Sequence, residues 1–201
     1  MTATADFSDL SAIRAHYRSQ RQALLQHMDA CAVPAAAAGL PRALAQLAQL
    51  ADETLAALWQ RARLPGALVA VGGFGRGELF PFSDVDVLLL WPDGTDESGS
   101  LVAAVSDFVA ACWDVGLEIS HSTRAVAQCM AAAQGDITAC TAMLEARLIA
   151  GDAALFARFE AAFRAQLDPL AFLQAKLMEQ RQRHARQQNT PYALEPNILL
   201  L

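Results

Sequence analysis

The sequence is poor in lysine and carries no excess of positive charge. Of its 201 residues, 15 are basic and 21 are acidic, the formal net charge is −6, and Lys176 is the only lysine. Proteins that bind DNA or RNA without sequence preference depend on a clear basic excess to neutralise phosphates. The charge balance therefore argues against nucleic acid as a partner.

Patterns for disulfide frameworks, zinc clusters and membrane spans are missing as well. The four cysteines (Cys31, Cys112, Cys129 and Cys140) include no pair with CxxC spacing, and their number in a core-rich chain favours free thiols. No apolar run approaches the roughly 20 residues that cross a bilayer. Charged residues interrupt the N-terminal stretch, unlike the apolar core of a secretory signal. These absences predict a soluble, cytoplasmic protein that binds no membrane.

What the sequence does contain is apolar and rich in helix formers. Hydrophobic residues make up 54% of the chain, and 43 residues are alanine, the strongest helix former. Helical spacing of apolar residues predicts helices over 8–29, 42–63, 101–115, 124–133, 137–150, 152–166 and 169–188. Short apolar runs predict strands over 67–71 and 85–91, and alternation of apolar and polar residues predicts a third strand over 117–121.

This order of elements predicts an α+β fold with a small sheet flanked by helices. We divide the chain into an N-terminal helical arm (1–66), a core (67–130) and a C-terminal helical region (131–201). The sheet is too short for a doubly wound fold. Ser8 is the expected N-cap of the first helix, and Gly151-Asp152 is expected to end one helix and begin the next.

The segment 72–87, GGFGRGELFPFSDVDV, joins the first two predicted strands. Two familiar glycine loops can be excluded, because both need another residue where Glu78 stands. A dinucleotide-binding fingerprint that starts at Gly73 requires glycine at this position, and a P-loop that starts at Gly72 requires lysine.

Two aspartates in this segment indicate a metal site. Asp84 and Asp86 are two residues apart at the start of a strand, so both carboxylates point to the same face. Paired carboxylates repel each other unless a cation neutralises them, and Mg²⁺ commonly takes one or two carboxylates together with substrate phosphates. Gly72 and Gly73 let backbone approach a triphosphate closely, and Arg76 offers a bidentate phosphate contact.

Together these motifs resemble the polymerase-β-like nucleotidyltransferase superfamily. More narrowly, the Gly-Gly pair, Gly-Arg-Gly-Glu-Leu, Pro-x-Ser-Asp-x-Asp and the aliphatic run after them are similar to the amino-terminal domain of the protein-PII uridylyltransferase/uridylyl-removing enzymes. The resemblance spans about residues 67–197, since it continues in 113–124, 136–138, 144–152 and 194–197.

The resemblance implies roles for individual residues. Gly72 and Gly73 become the turn that faces the triphosphate, and Arg76 and Ser83 belong to the same nucleotide-binding set. Asp84 and Asp86 become catalytic residues and the ligands of Mg²⁺.

The superfamily commonly has a third carboxylate on a later strand. Glu118 is our candidate for this catalytic residue, and Asp114 is the alternative, although we expect Asp114 to lie at the end of a helix. His121 is weak evidence for a general base. Glu145 and Arg147 are interpreted as a structural pair on one helix face. The basic run 181–186 is interpreted as a solvated face, with contact to phosphates or to an acidic partner as the alternative.

The reaction implied by the resemblance is transfer of UMP from UTP to a tyrosine hydroxyl of the nitrogen-regulatory PII protein, with release of pyrophosphate. One metal would activate the attacking oxygen and a second would hold the triphosphate. No residue that reads uracil can be identified, so a nucleotidyltransferase that adenylylates a small molecule or another protein stays an alternative. A regulatory module without catalysis is another. Full-length family members continue into an HD-type phosphohydrolase domain and two ACT domains, so we expect this chain to be a fragment without them.

Overall fold

Two long helices that pack against each other begin the fold. The structure, a computed structural model, describes residues 9–31, 39–96 and 99–186. Helix α1 is Leu10–Cys31 and helix α2 is Leu40–Ala62. The expected N-cap Ser8 lies outside the described residues, and the Asp9 carboxylate accepts a hydrogen bond from the Ser11 N–H at 3.2 Å.

Ten further elements follow in chain order. They are β1 (Ala67–Ala70), α3 (Gly72–Gly75), β2 (Val85–Trp91), α4 (Ser100–Val115), β3 (Ile119–Ala125), α5 (Val126–Gly135), α6 (Ile137–Leu144), β4 (Arg147–Gly151), α7 (Ala153–Gln166) and α8 (Pro169–Arg186). None of the helices in the described part of the chain is both long and apolar enough to cross a membrane.

The four strands form one open, mixed sheet in the order β3-β2-β1-β4. Strand β1 is antiparallel to both of its neighbours, β2 and β4. Strands β2 and β3 are parallel, with Asp86 opposite Ser120, and α4 supplies the crossover that a parallel pair requires. This arrangement confirms the predicted α+β fold with a small sheet flanked by helices.

Helices cover both faces of the two central strands. Leu68, Val87 and Leu89 pack into a core with α1, α2 and α4. Val69 and Leu88, on the opposite face, belong to a second core with α5, α6 and α7. Because both faces are buried, β1 and β2 are continuous apolar runs rather than alternating ones.

The predicted helix over 137–150 is wrong in its second half. Helix α6 ends at Leu144, and the next residues form β4, which pairs with β1. A short apolar run is compatible with either element by periodicity, and here pairing with the sheet decides. Gly151 ends this strand rather than a helix, whereas Asp152 is confirmed as an N-cap, since its side chain accepts from the N–H groups of Ala154 and Leu155.

The same correction removes the predicted helix-face pair of Glu145 and Arg147. Glu145 follows the end of α6, and Arg147 begins β4. The third strand was predicted over 117–121, whereas β3 begins two residues later, at Ile119, and continues to Ala125 in pairing with β2. The predicted division of the chain into three regions, with boundaries after residues 66 and 130, stays a prediction. Strand β4 belongs to the sheet although it lies in the predicted C-terminal helical region.

Gly151 provides a test of the packing between β4 and β1. It has φ +95°, and a Cβ there would lie 2.3 Å from the Gly66 carbonyl oxygen and 3.0 Å from Trp59 Nε1. Gly94 also has a positive φ, +81°, but a Cβ there would meet nothing within 4 Å. We expect Gly94→Ala to cost about 1–2 kcal/mol from backbone strain alone. Gly151→Ala should cost about 2 kcal/mol more because of overpacking. Equal losses in urea denaturation would contradict this close packing.

Candidate active site

The predicted glycine turn and the predicted aspartate pair meet at one end of the sheet. Ala70 at the end of β1 pairs with Val87 near the start of β2, so the residues after β1 lie beside those that begin β2. The Val71 N–H donates to the Asp86 carbonyl oxygen at 3.1 Å. The antiparallel pairing thus brings together two motifs that the intervening loop separates in sequence.

Gly72 lies against the Asp86 carboxylate in a backbone conformation that favours glycine. Its φ is +59°, in the left-handed region, and a Cβ would stand 3.3 Å from Asp86 Oδ2. Gly73 differs, since its φ lies outside that region and a Cβ would meet only Arg76 Nη2, at 3.8 Å. A side chain at Gly72 therefore disturbs the chain itself, whereas a side chain at Gly73 would occupy the adjoining open space.

That open space is a cavity of about 290 Å³ beside α3. It is lined by Gly73, Phe74, Arg76, Glu78, Leu79, Phe80, Ser83, Asp84 and Asp86. Five of the predicted site residues are among them, and Gly72 adjoins the cavity through its contact with Asp86. The volume is near the lower end of small-molecule sites.

Burial and charge act together on Asp86. Its side chain is half-buried, and this desolvation is the main cause that raises the pKa of Asp86 above its ordinary value of 3.8. The nearby charge of Asp84 raises the pKa further, while a hydrogen bond with the Ser120 side chain lowers it. The sequence pattern did not indicate Ser120 as a site residue. The parallel register of β2 and β3 places it directly beside Asp86.

The donor chemistry of this pair suits a hard cation such as Mg²⁺. Within residues 9–31, 39–96 and 99–186, no group of three or more histidine, cysteine, aspartate or glutamate side chains is placed to hold a metal ion. Asp84 and Asp86 place two carboxylates at one cavity. Mg²⁺ sites of the substrate-bridging kind use this number, with phosphate oxygens and water as the other ligands.

The structure does not place Glu118 in the same cavity as the aspartates. Glu118 precedes β3, and its carbonyl oxygen accepts the Val85 N–H at 2.9 Å. It lines a neighbouring cavity of about 130 Å³ together with Tyr17 and Arg21, and Ser83 contributes to both cavities. Its role as a third carboxylate stays a prediction.

Among the described residues, the other candidates do not line the cavity that contains the aspartates. Asp114 is on α4, as expected, and its carboxylate is 3.8 Å from the Arg14 guanidinium of α1. His121 is exposed on β3 opposite Val87, so the strand alternation directs it away from the face of Ser120. The side chains 181–185 are exposed on α8, and the resemblance segment 194–197 lies outside the described residues.

Helix α1 fixes the loop between α3 and β2, a contact that the sequence did not reveal. Arg21 donates from Nη2 to the Pro81 carbonyl oxygen at 2.7 Å, across 60 positions of sequence. The Leu79 N–H donates to the Leu44 carbonyl oxygen of α2 at 3.3 Å. The loop that carries Ser83 and leads into Asp84 is thus tied to both N-terminal helices.

Comparison with known proteins agrees with this geometry. The chain matches the family model of the nucleotidyltransferase domain over residues 52–129. It is 50% identical over 154 residues to the bifunctional uridylyltransferase/uridylyl-removing enzyme of Ralstonia nicotianae. The aligned segment makes up 76% of this chain and 18% of that protein.

Proteins with the same name in two Burkholderia species are similarly close. The identity is 53% over 154 residues for Burkholderia mallei, again 76% of this chain and 18% of the relative. It is 49% over 164 residues for Burkholderia orbicola, 81% of this chain and 19% of the relative. These similarities confirm the predicted resemblance, and the chain spans about a fifth of the length of the curated relatives it matches.

The raised pKa of Asp86 predicts how its replacement affects stability without metal. Because the folded state disfavours the ionised carboxylate, wild-type stability rises as pH falls through the raised pKa and levels off below 3.8, the ordinary value. Asp86→Asn removes this effect, so its melting temperature should equal or exceed that of the wild type at neutral pH, with the difference shrinking on acidification. Asp152→Ala, which removes an N-cap, is the comparison and should cost about 1 kcal/mol. A similar loss in Asp86→Asn would make Asp86 a structural residue.

Proposed function

We propose that this chain is a Mg²⁺-dependent nucleotidyltransferase domain that transfers UMP from UTP to a tyrosine hydroxyl of the PII protein, releasing pyrophosphate, in the cytoplasm. The observation that carries the proposal is the cavity that joins Asp84 and Asp86 to the glycine turn. The uridylyl donor follows from the name of the relatives, and the PII tyrosine follows from the family resemblance of the motifs.

The carboxylates of Asp84 and Asp86 would hold the metal. When bound, Mg²⁺ would neutralise phosphate charge and favour ionisation of the attacking oxygen. The hydrogen bond between Ser120 and Asp86 fixes the orientation of one carboxylate. Rigid ligands of this kind matter because catalysis of phosphoryl-type transfer depends mainly on positioning and on stabilisation of charge.

Phosphates would be bound opposite the aspartates. Gly73 offers backbone without a side chain in the cavity, and the Arg76 guanidinium lies close to it. Arginine can donate two parallel hydrogen bonds to one phosphate group. Ser83 lines both this cavity and that of Glu118, next to the loop that Arg21 fixes.

Nucleotide binding should depend on a divalent cation and on both aspartates. We expect UTP binding to the 201-residue chain, measured by calorimetry, to require Mg²⁺ and to be lost in excess chelator. In a transfer assay with PII protein, Asp84→Asn and Asp86→Asn should each lower turnover by roughly three orders of magnitude or more. Asp107→Asn, on α4 away from this cavity, is the matched control and should retain activity.

Two results would count against the proposal. Equal UTP affinity with Mg²⁺ and with chelator would show that nucleotide binding does not require a metal ion. Near-normal turnover in either variant would show that the replaced aspartate is not a catalytic residue. Presenting all four nucleoside triphosphates in the same assay separates uridylyl transfer from the adenylyl alternative. A chain that binds UTP and Mg²⁺ without turnover would be a regulatory module.

Gly73→Val tests the phosphate-facing turn separately from folding. Since Gly73 is neither in a left-handed conformation nor crowded, valine should leave the melting temperature nearly unchanged. It should weaken UTP binding by about tenfold or more, because the side chain enters the space for the phosphates. Gly135→Val is the control, since Gly135 is also uncrowded and lies at the end of α5. Normal UTP affinity in a folded Gly73→Val chain would refute the phosphate-facing assignment.

A further inference from the structure

One arginine of β4 holds the short helix α3. Arg147 donates from Nε to the Gly75 carbonyl oxygen at 3.3 Å and from Nη2 to the Phe74 carbonyl oxygen at 3.4 Å. Its guanidinium carbon also lies 5.6 Å from the centre of the Phe74 ring, in a cation–π contact. Two consecutive carbonyl groups and one side chain of α3 are therefore bound by a single residue.

Asp52 on α2 anchors this arginine. The Asp52 carboxylate accepts two hydrogen bonds, from Arg147 Nη1 to Oδ2 at 2.8 Å and from Nη2 to Oδ1 at 3.1 Å. The pair is bidentate and partly buried, with side-chain exposures of 35% for Arg147 and 26% for Asp52. Paired hydrogen bonds of this kind fix the orientation of the guanidinium plane.

Helix α3 lies in close contact with the backbone that leads into β4. Arg147 pairs with Ala70, the last residue of β1, and so lies next to the point where the glycine turn begins. A Cβ on Gly75 would stand 1.9 Å from the Glu145 carbonyl oxygen. Helix α3 thus rests directly on the connection between α6 and β4, while Arg147 ties it to α2.

Helix α3 needs external support because it has only four residues. A single helical turn makes too few hydrogen bonds to be stable alone. Inside this turn the Gly75, Arg76 and Gly77 N–H groups bond to the carbonyl oxygens of Val71, Gly73 and Phe74. At the C-terminal end of the same turn the arginine binds the Gly75 carbonyl and also the Phe74 carbonyl, which accepts from the Gly77 N–H as well.

We infer that Arg147, anchored by Asp52, is a positioning residue for nucleotide binding. It holds α3 so that Gly72 stays against Asp86 and Gly73 faces the cavity. Arg147 does not line that cavity, and its guanidinium is engaged by Asp52 and by two carbonyl groups, so it acts through α3 rather than on the nucleotide. The inference rests on the nucleotide site proposed above.

Arg147→Lys and Asp52→Asn test the inference in the 201-residue chain. Lysine keeps the charge beside Asp52 but lacks the planar, five-donor fork with which arginine makes the paired hydrogen bonds to the carboxylate and reaches both carbonyl groups. Both variants should weaken binding of UTP with Mg²⁺ by roughly tenfold or more, since a small displacement of a binding element is costly. Arg164→Lys is the control, because Arg164 pairs with Glu160 on the exposed surface of α7.

Hydrogen exchange in the chain without nucleotide gives an independent measurement. The amides of Gly75, Arg76 and Gly77 should exchange faster in Arg147→Lys and in Asp52→Asn, while amides of β1 and β2 keep their protection. The control variant should leave all of them unchanged. The double variant should resemble the worse single variant, because residues that act as one unit are not additive.

The possible failures are distinguishable. If the wild-type chain binds UTP and a folded Arg147→Lys binds it equally well, the positioning role is wrong and the nucleotide site stands. Unchanged exchange of the three amides also overturns it. Loss of protection across the whole sheet would show that Arg147 only stabilises the fold. If the wild-type chain does not bind UTP with Mg²⁺, the proposed function and this inference both fail.

Discussion

The contact between Gly72 and Asp86 is the constraint on which the site depends. The Val71 N–H bonds to the Asp86 carbonyl oxygen, and the missing side chain of Gly72 lets the turn lie against the Asp86 carboxylate. A Cβ there would come within 3.3 Å of a carboxylate oxygen on a backbone already in the left-handed region. The glycine turn and the aspartate pair can therefore share one cavity only while β1 and β2 keep their present register.

That register is held by burial rather than by the site. Leu68 and Leu89 pack toward α2, and Val69 and Leu88 pack toward α7. Since alternate residues face opposite sides, a slip by one position would exchange the residues of the two cores and move Asp86 to the other face. The apolar residues of the central strands thus determine where the carboxylates point.

Local signals in the sequence indicate candidate residues that lie close together along the chain, and their roles stay predictions. Gly72, Gly73, Asp84 and Asp86 were predicted from spacing, and the α+β fold from the order of apolar runs. The sequence did not predict β4, because a short apolar run beside alanine-rich helices has no period that excludes helix. The pairing of Asp52 with Arg147 was missed for a related reason, since 95 positions separate them and only β4 brings them together.

The charges around the aspartate pair and around the glycine turn are arranged differently. Burial and the nearby charge of Asp84 both raise the pKa of Asp86 and so make its ionised form less favourable. The pair is thus an electrostatic cost to the folded chain that a bound cation would relieve. Helix α3, in contrast, is held by an arginine whose charge Asp52 already balances. The glycine turn can be fixed before any nucleotide arrives, while Asp84 and Asp86 stay available to the cation that the proposed reaction requires.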